Sequence, residues 1–347
     1  MIKLTPDTRN DESPSNPFWD NTNQFRKILY RVKAHGTLFG LALSKGASLK
    51  RLLITRFPFI FKDSYHPPSM HIEFTNACNL KCVYCNNPHF AYPREMMKET
   101  TFYNLIEQLK VSKVDRICIG GGEATLHPKF TEFVLKLGEV SKILSIVTNG
   151  HWESDDVPKS LLLAPVDFIE ISVECEGKEN YEATRVGSNY ELILRNLKRL
   201  KELRVELKSR SHINLRLMVR PTQLGEIERA SMKFWEQFGD SIMPQYVQKT
   251  REIETISDVF MPVHIAKNQF PKCTLPFRNI QIRANGDVPI CQVSGSALIP
   301  ENKVIAGNIN NDSLNKIWRE GVFKGYRNAH RQRTKNKMPI CQGCRGN

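Results

Sequence analysis

The sequence has no long apolar run and no recognisable export signal. The Met1 end lacks the charged-then-apolar pattern of a signal peptide, and no apolar stretch approaches the ~20 residues that a membrane-crossing helix needs. We therefore expect a cytoplasmic protein. Disulfides are typical of small exported proteins, so metal ligation is the expected use of its nine cysteines.

The chain is not short of material for a hydrophobic core. It has 347 residues, 40% of them hydrophobic, which allows one large barrel-type domain and a smaller one and excludes a disordered or fibrous protein. The formal net charge of +14 would suit nucleic acid or an anionic membrane, but a generally basic surface would give the same value. We do not expect nucleic acid to be the partner.

Acidic residues are missing from a segment near the start of the chain. Residues 1–68 begin with a polar lead-in, and the stretch that follows it has eight basic side chains and no Asp or Glu over QFRKILYRVKAHGTLFGLALSKGASLKRLLITRFPF. This pattern predicts one or two basic amphipathic helices. They could lie peripherally on an anionic membrane, hold an acidic partner or pack against the protein's own body.

Strand-like and helix-like runs alternate over residues 69–250, which predicts repeated β-α units and a parallel sheet. Six units cannot close the usual eight-stranded barrel, so the fold class predicted is α/β with a partial (β/α)6 TIM-like barrel. The six predicted strands are MHIEFT, DRICIG, ILSIVT, DFIEISVE, INLRLMV and SIMPQYV.

Several of these strands alternate polar and apolar residues, although a fully buried parallel strand is apolar on both faces. Since side chains alternate between the two faces of a strand, a shared polar lumen explains the pattern, and pairing of polar groups within the core is the alternative. The polar residues concerned are Glu73, Glu170, Ser172, Glu174, Asn214 and Arg216.

Residues 251–347 show a different pattern, which predicts a small α+β domain. The stretch RNIQIRANGDVPICQV is typical of a hairpin turned at Asn285-Gly286, and SLNKIWREGVF of a short helix. The chain ends in MPICQGCRGN, so this domain carries cysteines.

Three cysteines, Cys78, Cys82 and Cys85, follow the first predicted strand with the spacing C-x3-C-x2-C. They would lie at the carboxyl end of a barrel strand, where such folds place active sites. Three thiolates can hold three irons of a [4Fe-4S] cluster and leave the fourth iron open. A structural zinc site would need a fourth ligand, for which His89 is the near candidate.

These residues resemble the motif of the radical S-adenosylmethionine (radical SAM) superfamily, C-x3-C-x-aromatic-C, with Tyr84 as the aromatic residue. Other stretches resemble the superfamily in the same order along residues 69–249. GGGEATLHP looks like its Gly-Gly-Glu motif, and TNG, ISVE and EATRVGS match positions that usually contact S-adenosylmethionine. The residues that the resemblance implies as cofactor-binding are Tyr84, Gly121, Gly122, Glu123, Asn149, Ser172 and Arg185.

The resemblance implies a mechanism and a set of cofactors. The open iron of the cluster would chelate S-adenosylmethionine, and one electron from a flavodoxin- or ferredoxin-type donor would cleave it to methionine and a 5′-deoxyadenosyl radical. That radical would take a hydrogen atom from the substrate. The protein's share would be binding, orientation and exclusion of competing reactions.

A second set of cysteines, Cys273, Cys291, Cys341 and Cys344, could close a four-thiolate site. Zinc would accept the same ligands. The surrounding residues resemble the auxiliary-cluster domain called SPASM, or its shorter form called twitch, and the full pattern has further cysteines that this chain lacks. We therefore expect one auxiliary [4Fe-4S] cluster.

The layout of these four cysteines is similar to that of a radical SAM aminocyclitol dehydrogenase. The resemblance implies two-electron oxidation of an alcohol carbon in a sugar, aminocyclitol or related small molecule, with the auxiliary cluster as electron acceptor. A phosphorylated or carrier-linked sugar would suit the basic excess. Removal of the hydroxyl proton needs a base or a hydrogen-bond partner, and Glu174 and Arg216 are the candidates that face the predicted lumen.

Three other functions stay open. A radical epimerase would need a thiol as hydrogen-atom donor, for which Cys175 is a better candidate than Cys118, although both suit a small buried side chain. A maturase of a ribosomally made peptide would fit a SPASM-type domain, but residues 1–68 show no clear peptide-binding domain. A non-catalytic iron–sulfur or nucleic-acid-binding protein would have little use for the intact motifs.

Overall fold

The structure is a computed structural model that describes residues 66–85, 93–112, 114–246, 273, 275–291, 304–332, 334 and 337–341. The predicted basic helices lie outside these residues, as do His89 and Cys344. Within the described part of the chain, no helix is long and apolar enough to cross a membrane.

The first and larger part consists of strands alternating with helices, as predicted. In chain order its elements are β1 (Ser69–Glu73), β2 (Lys81–Cys82), α1 (Glu99–Val111), β3 (Arg116–Gly120), α2 (Phe130–Val140), β4 (Ile143–Thr148), α3 (Asp156–Leu163), β5 (Phe168–Glu174), α4 (Gly177–Thr184), β6 (Arg185–Val186), α5 (Tyr190–Glu206), β7 (His212–Val219), α6 (Glu226–Trp235) and β8 (Ser241–Tyr246). All six predicted strands form, and the partial-barrel fold is confirmed.

A single parallel sheet organises the molecule, with strand order β8-β7-β5-β4-β3-β1-β9, where β9 is Asn279–Ile282. Neighbouring strands follow each other in the chain, except that β2 and β6 belong to a separate pair and that β9 lies beside β1. Each crossover carries a helix on the outer face, as parallel strands require. The carboxyl ends of all seven strands therefore meet at one edge.

The core lies between the outer face of the sheet and the helices. Helix α5 begins where the Asn189 side chain accepts a hydrogen bond from the Leu192 amide at 3.0 Å, and its apolar stripe faces the strands. Around β1, the rings of Phe102 and Phe133 stack with centroids 3.7 Å apart, and Phe74 meets both edge-on. This packing fixes the strand that leads into the cysteine motif.

The inner face of the sheet is polar, as the alternation predicts. Strand register places Glu170 beside Asn214, and Ser172 beside Arg216, on the same face of β5 and β7. His71 and Cys118 are partners on β1 and β3 and share that face. The residues of opposite parity, such as Ile169 and Leu215, are buried under the helices.

The predicted hairpin at Asn285-Gly286 is corrected in part. The turn exists, with Gly286 at φ 87° and the Arg283 amide donating to the Asp287 carbonyl at 2.9 Å. The two flanking strands, however, belong to different sheets. Strand β9 pairs parallel with β1, whereas β10 (Asp287–Pro289) pairs antiparallel with β11 (Ile305–Asn308).

The predicted helix over SLNKIWREGVF is interrupted. Helix α8 (Leu314–Arg319) begins at Ser313, whose side chain accepts from the Lys316 amide at 3.3 Å, and it ends at Glu320. Glu320 is extended and Gly321 adopts φ 49°, so α9 (Gly321–Arg331) starts a new helix. A short helix α7 (Leu275–Arg278) precedes β9.

Candidate functional site

The predicted cluster loop, which follows β1, is hydrogen-bonded to the opposite side of the barrel mouth. Two residues of the loop form β2, which pairs antiparallel with β6 so that Cys82 is opposite Arg185. The Val83 amide donates to the Thr184 carbonyl at 2.9 Å. The loop that follows β1 is thus bound to the segment that follows β5 and α4.

The three predicted cluster ligands lie in this loop, all half-buried. Burial raises the pKa of the Cys78 thiol to about 11. Burial also raises the pKa of Cys82, and the nearby Arg185 charge opposes that shift. A cation beside a thiol favours the thiolate, which is the form that binds iron.

The loop suits a four-iron cluster better than a single ion. Among the residues with described positions, no group of three or more His, Cys, Asp or Glu side chains could hold one metal ion. A cluster has a different requirement, because each of its thiolates binds a different iron and the sulfur atoms stand further apart. Three cysteine thiolates in one short loop, beside the positive charge of Arg185, fit that requirement.

The Gly-Gly-Glu segment packs directly onto the backbone that precedes the cysteines. The Gly122 amide donates to the Thr75 carbonyl at 2.9 Å, and the Glu123 amide donates to the Ala77 carbonyl at 2.7 Å. A Cβ atom at Gly122 would lie 2.0 Å from the Ala77 carbonyl oxygen. Close approach of two loops explains why a residue without a side chain is needed here.

The Glu123 side chain joins the loops that follow β3 and β4 through hydrogen bonds. Its carboxylate accepts from the Thr125 and Thr148 hydroxyls, at 2.7 and 2.8 Å, and from the Asn149 amide at 2.7 Å. Burial raises the pKa of Glu123, and these hydrogen bonds oppose the shift. The role that the resemblance implies for Glu123 stays a prediction, and the structure adds a positioning role.

Asn149 connects Glu123 to the cysteine loop. Its amide nitrogen donates to the Asn79 side-chain oxygen at 2.7 Å and lies 3.9 Å from the Cys78 sulfur. Its side-chain oxygen accepts from the His151 amide at 2.9 Å. Neither Asn79 nor His151 was singled out from the sequence. Each acts through contacts between loops that are distant in the chain, and no local sequence pattern reports such contacts.

Arg185, Glu174 and Tyr84 form one buried unit. The Arg185 Nε atom lies 2.8 Å from the Glu174 carboxylate, and the two side chains are 4% and 2% exposed. The Tyr84 hydroxyl also donates to Glu174. The Arg185 guanidinium lies 5.8 Å from the centroids of the Tyr84 and Tyr181 rings. Glu174 is therefore engaged in holding Arg185.

A second charged group lies deeper in the lumen. Arg216 Nε is 3.4 Å from the Glu170 carboxylate, and Arg216 is 24% exposed while Glu170 is buried. With the Gln245 amide turned so that its oxygen faces the guanidinium, that oxygen accepts from Arg216 Nε at 2.7 Å. Arg216 thus has a fixed orientation. Ser172, its register partner, faces the same space.

His71 is a lumen residue that was not singled out from the sequence. Its Nε2 atom lies against Gly120, where a Cβ atom would be 2.6 Å away, and its Nδ1 atom is buried without a hydrogen-bond partner. Burial, aided by the Arg216 charge, lowers the pKa of His71 to about 4. The imidazole is therefore neutral near pH 7. His71 lies two residues before Glu73, so the sequence pattern could have placed both side chains on the same face of the strand.

Cys175, the better of the two predicted hydrogen-atom donors, does not face the lumen. Glu174 points into the lumen, so the next residue points outwards, and Cys175 is fully buried in the apolar core. Its thiol interacts with Ser231 of α6, and burial raises its pKa to about 12. Cys118 does face the lumen, but it is buried at depth, with Ser145 as its register partner on β4.

Two cysteines of the second set, Cys291 and Cys341, lie beside α9. The thiols of Cys291 and Cys341 both lie close enough to Tyr326 to contribute to its raised pKa, of which burial is the larger cause. Cys273 lies two residues before the start of α7, and Phe277 of that helix meets His330 edge-on at 6.4 Å. All three cysteines are half-buried. Cys344 lies outside the described residues.

The C-terminal part is joined to the barrel mouth as well as to the sheet. Arg283, just after β9, lies 3.7 Å from the Glu73 carboxylate, and the Ala284 amide donates to Glu73 at 3.3 Å. Glu73 is the last residue of β1. The strand that leads into the first cysteine motif therefore touches the domain that carries the second.

Two family models match the chain. Residues 72–219 match the Radical SAM superfamily, and residues 273–345 match SPASM, an iron-sulfur cluster-binding domain. Together they cover more than half of the sequence.

Several known proteins are similar to this chain in sequence or in fold. The sporulation killing factor maturation protein SkfB of Bacillus subtilis is 30% identical over 34% of this chain and 28% of its own length. The mycofactocin maturase MftC of Mycobacterium tuberculosis is 28% identical over 37% of this chain and 33% of its own. The chain thus matches about a third or less of either relative. The crystal structure of Streptococcus suis SuiB bound to S-adenosylmethionine superposes with a TM-score of 0.60, at 15% identity, over 88% of this chain and 78% of that one.

These matches confirm the resemblance on which the sequence prediction rests, and with it the cofactors, namely a [4Fe-4S] cluster that works with S-adenosylmethionine and an auxiliary iron–sulfur cluster. The chain belongs to the radical SAM superfamily and carries a C-terminal SPASM domain.

Proposed function

We propose that this enzyme oxidises a hydroxyl-bearing carbon of a polyhydroxylated small molecule to a ketone. The observation that carries the proposal is the pairing of β9 with β1. Through it, the domain with the second set of cysteines adjoins the strand that leads into the first set. An electron left on a substrate in the lumen would have an acceptor close by.

The cofactor positions follow from the loop geometry. Cys78, Cys82 and Cys85 would hold the first cluster, and the predicted contact residues at the barrel mouth would receive S-adenosylmethionine. When bound, this pair supplies a radical that takes one hydrogen atom from the substrate. The protein orients the group through Arg185, which its ion pair with Glu174 and its two flanking tyrosine rings keep in place.

The hydroxyl proton of the substrate needs a hydrogen-bond partner. Glu174 is a poor choice because Arg185 and Tyr84 already engage its carboxylate. Arg216, held by Glu170, can stabilise the negative charge that develops on the hydroxyl oxygen. The neutral imidazole of His71 can accept a hydrogen bond from the hydroxyl. We assign the proton-handling role to Arg216 and His71.

The lumen also suits an uncharged polar substrate. Its described acidic side chains are matched with arginines, as Glu73 is with Arg283 and Glu170 is with Arg216. Since each charge has a partner, hydroxyl groups are better matched to this surface than a net ionic group. The same argument gives no support to a phosphate group within the described lumen.

Epimerisation has less support than oxidation. It would need a thiol near the substrate carbon, and Cys175 points away from the lumen into the apolar core. Cys118 faces the lumen but is buried beside His71, its register partner, and burial raises its pKa.

Maturation of a ribosomally made peptide is the second candidate. It is favoured by the names of SkfB and MftC, which are maturation proteins, and by a crystal structure of SuiB bound to the precursor peptide SuiA. The matches to SkfB and MftC cover a third or less of those proteins, and SuiB is 15% identical, so the substrate does not carry over to this chain.

The test is anaerobic incubation of the reconstituted, reduced protein with S-adenosylmethionine and a panel of sugars, polyols, aminocyclitols and short peptides. We expect a hydroxylated small molecule to give a product lighter by two hydrogen atoms, in amounts equal to the 5′-deoxyadenosine formed. A product of unchanged mass that carries one solvent deuterium would indicate epimerisation. A modified peptide as the only product would favour the second candidate.

A further inference from the structure

One face of α9 lies against the turn that carries Cys341. Tyr326 and His330 are one helical turn apart on this face, and the 3₁₀ turn Pro339–Cys341 packs beside them. The His330 Nε2 atom is 3.5 Å from the Cys341 sulfur. This is hydrogen-bond distance for a sulfur acceptor.

The surroundings hold this histidine in position. The His330 ring meets the Phe277 ring edge-on, with the centroids 6.4 Å apart. The Arg331 guanidinium lies 5.2 Å from the centroid of the Phe277 ring. Three residues earlier in α9, Arg327 is buried, donates to the Trp318 carbonyl at 2.6 Å and fixes the helix against α8. The helix is therefore a rigid support for His330.

We propose that His330 donates a hydrogen bond from Nε2 to the sulfur of Cys341 and thereby raises the reduction potential of the auxiliary cluster. An iron-bound thiolate has no proton to give, so the imidazole must be the donor. The bond withdraws negative charge from the sulfur and stabilises the reduced, more negative cluster. His330 is a positioning residue, and its benefit for catalysis rests on the proposed function, in which this cluster accepts the substrate's electron.

The test isolates the auxiliary cluster from the first one. In a full-length background with Cys78, Cys82 and Cys85 all replaced by alanine, the protein is reconstituted with iron and sulfide, and its reduction potential is measured by a redox titration followed by electron paramagnetic resonance. His330→Phe keeps the aromatic ring and removes the donor, whereas His330→Gln keeps an amide donor. Asn328→Ala, on an exposed position of the same helix, is the matched control.

We expect the potential of His330→Phe to be more negative than that of the parent, with His330→Gln closer to the parent and Asn328→Ala unchanged. Equal potentials in His330→Phe and Asn328→Ala would overturn the proposal. Loss of one iron in His330→Phe, seen as a three-iron signal, would also overturn it, because His330 would then be a ligand. If His330→Phe does not fold, His330→Leu, which also lacks a donor, takes its place: a potential more negative than that of the control supports the donor role, and a potential equal to the control opposes it.

This measurement uses a protein that lacks the first cluster, so its result does not depend on substrate or on turnover. The proposed oxidation can fail while the potential shifts as expected, and the two failures are therefore distinguishable.

Discussion

Arg185 is the charge on which the described barrel mouth depends most. It is opposite Cys82 across the β2–β6 pair, it neutralises the buried Glu174, and two tyrosine rings flank it. A charge in such a place is tolerated only because it is paired. Removing it would leave Glu174 buried without its cation.

Arg185→Met should lower the free energy of unfolding by about 3–5 kcal/mol, the usual loss when one partner of a buried ion pair is removed. Denaturant unfolding near pH 7 measures it. The matched control is Arg199→Met, since Arg199 lies 2.8 Å from Asp155 and 2.9 Å from Glu206 on the exposed side of α5. We expect little or no change there. Equal losses in both variants would contradict the role given to Arg185.

Gly122 is the second residue on which the site depends, because it allows the Gly-Gly-Glu loop to touch the backbone at Ala77. Gly122→Ala should displace one loop from the other, lower the melting temperature and weaken S-adenosylmethionine binding. Gly325→Ala is the control, since it lies within α9 and its Cβ would meet nothing within 4 Å. There we expect stability to be unchanged or raised by roughly 0.5–1 kcal/mol. Thermal melts and ligand titrations would separate the two, and intact binding by Gly122→Ala would refute the close-contact argument.

At the scale of secondary-structure elements, the end of the barrel opposite the mouth is held by Asp240. This residue follows α6 and precedes β8, and its carboxylate accepts from the Ile213 amide at 2.8 Å and from Arg204 of α5. Burial acts to raise the pKa of Asp240, but these hydrogen bonds and the Arg204 charge outweigh it and place the pKa below the ordinary 3.8. One carboxylate thus connects α5, β7 and β8.

Asp240→Asn should destabilise the protein by about 1–2 kcal/mol at pH 7, because hydrogen bonds to charged groups are worth roughly that amount when partly exposed. The folded pKa lies below the unfolded value of 3.8, so the contribution of Asp240 is complete above about pH 4 and is lost as the pH falls through the folded pKa. Unfolding free energies between pH 7 and pH 3 should show the variant and the parent converging only below about pH 4. A difference that stayed constant to pH 3 would count against this account.

The elements show which features a sequence can predict. The six barrel strands were predicted because their apolar and polar residues alternate or cluster within each strand. The helical runs predicted between the strands include ETTFYNLIEQLK, PKFTEFVLKLGEV, YELILRNLKRLKELRVEL and GEIERASMKFWEQF. Helices α3 and α4 are not among them, since DVPKSLLL contains a proline and GKENYEAT has few apolar residues. The pairing of β9 with β1 joins residues about two hundred positions apart, and no local pattern reports such a contact.

The site shows the same division. Cysteine spacing and the Gly-Gly-Glu segment are local signals, and they led to the family. Side chains alternate between the two faces of a strand, so the sequence could have shown that Cys175 points outwards, because its neighbour Glu174 points into the lumen. By the same rule, His71 could have been assigned to the lumen, because it lies two residues before Glu73. The engagement of Glu174 by Arg185 and Tyr84 could not, because it depends on how the cysteine loop folds back onto β6.

At the scale of the whole molecule, the SPASM domain is an extension of the barrel. It adds β9 to the edge of the barrel sheet, and the Ser69 hydroxyl donates to the Arg278 carbonyl at 2.7 Å where the two strands begin. Arg283 and Glu73 pair where they end. A domain fixed at both ends of a strand has little freedom to move away, which suits the transfer of an electron from the lumen to an auxiliary cluster.

The measurement that tests this account most directly is the ratio of oxidised product to 5′-deoxyadenosine in the parent enzyme and in Cys291→Ala, with Cys175→Ala as a control outside the lumen. The account predicts equal amounts of the two products in the parent and in the control. In Cys291→Ala it predicts continued formation of 5′-deoxyadenosine with loss of the oxidised product, because the substrate's second electron has no acceptor. Full formation of the oxidised product by Cys291→Ala would contradict the account.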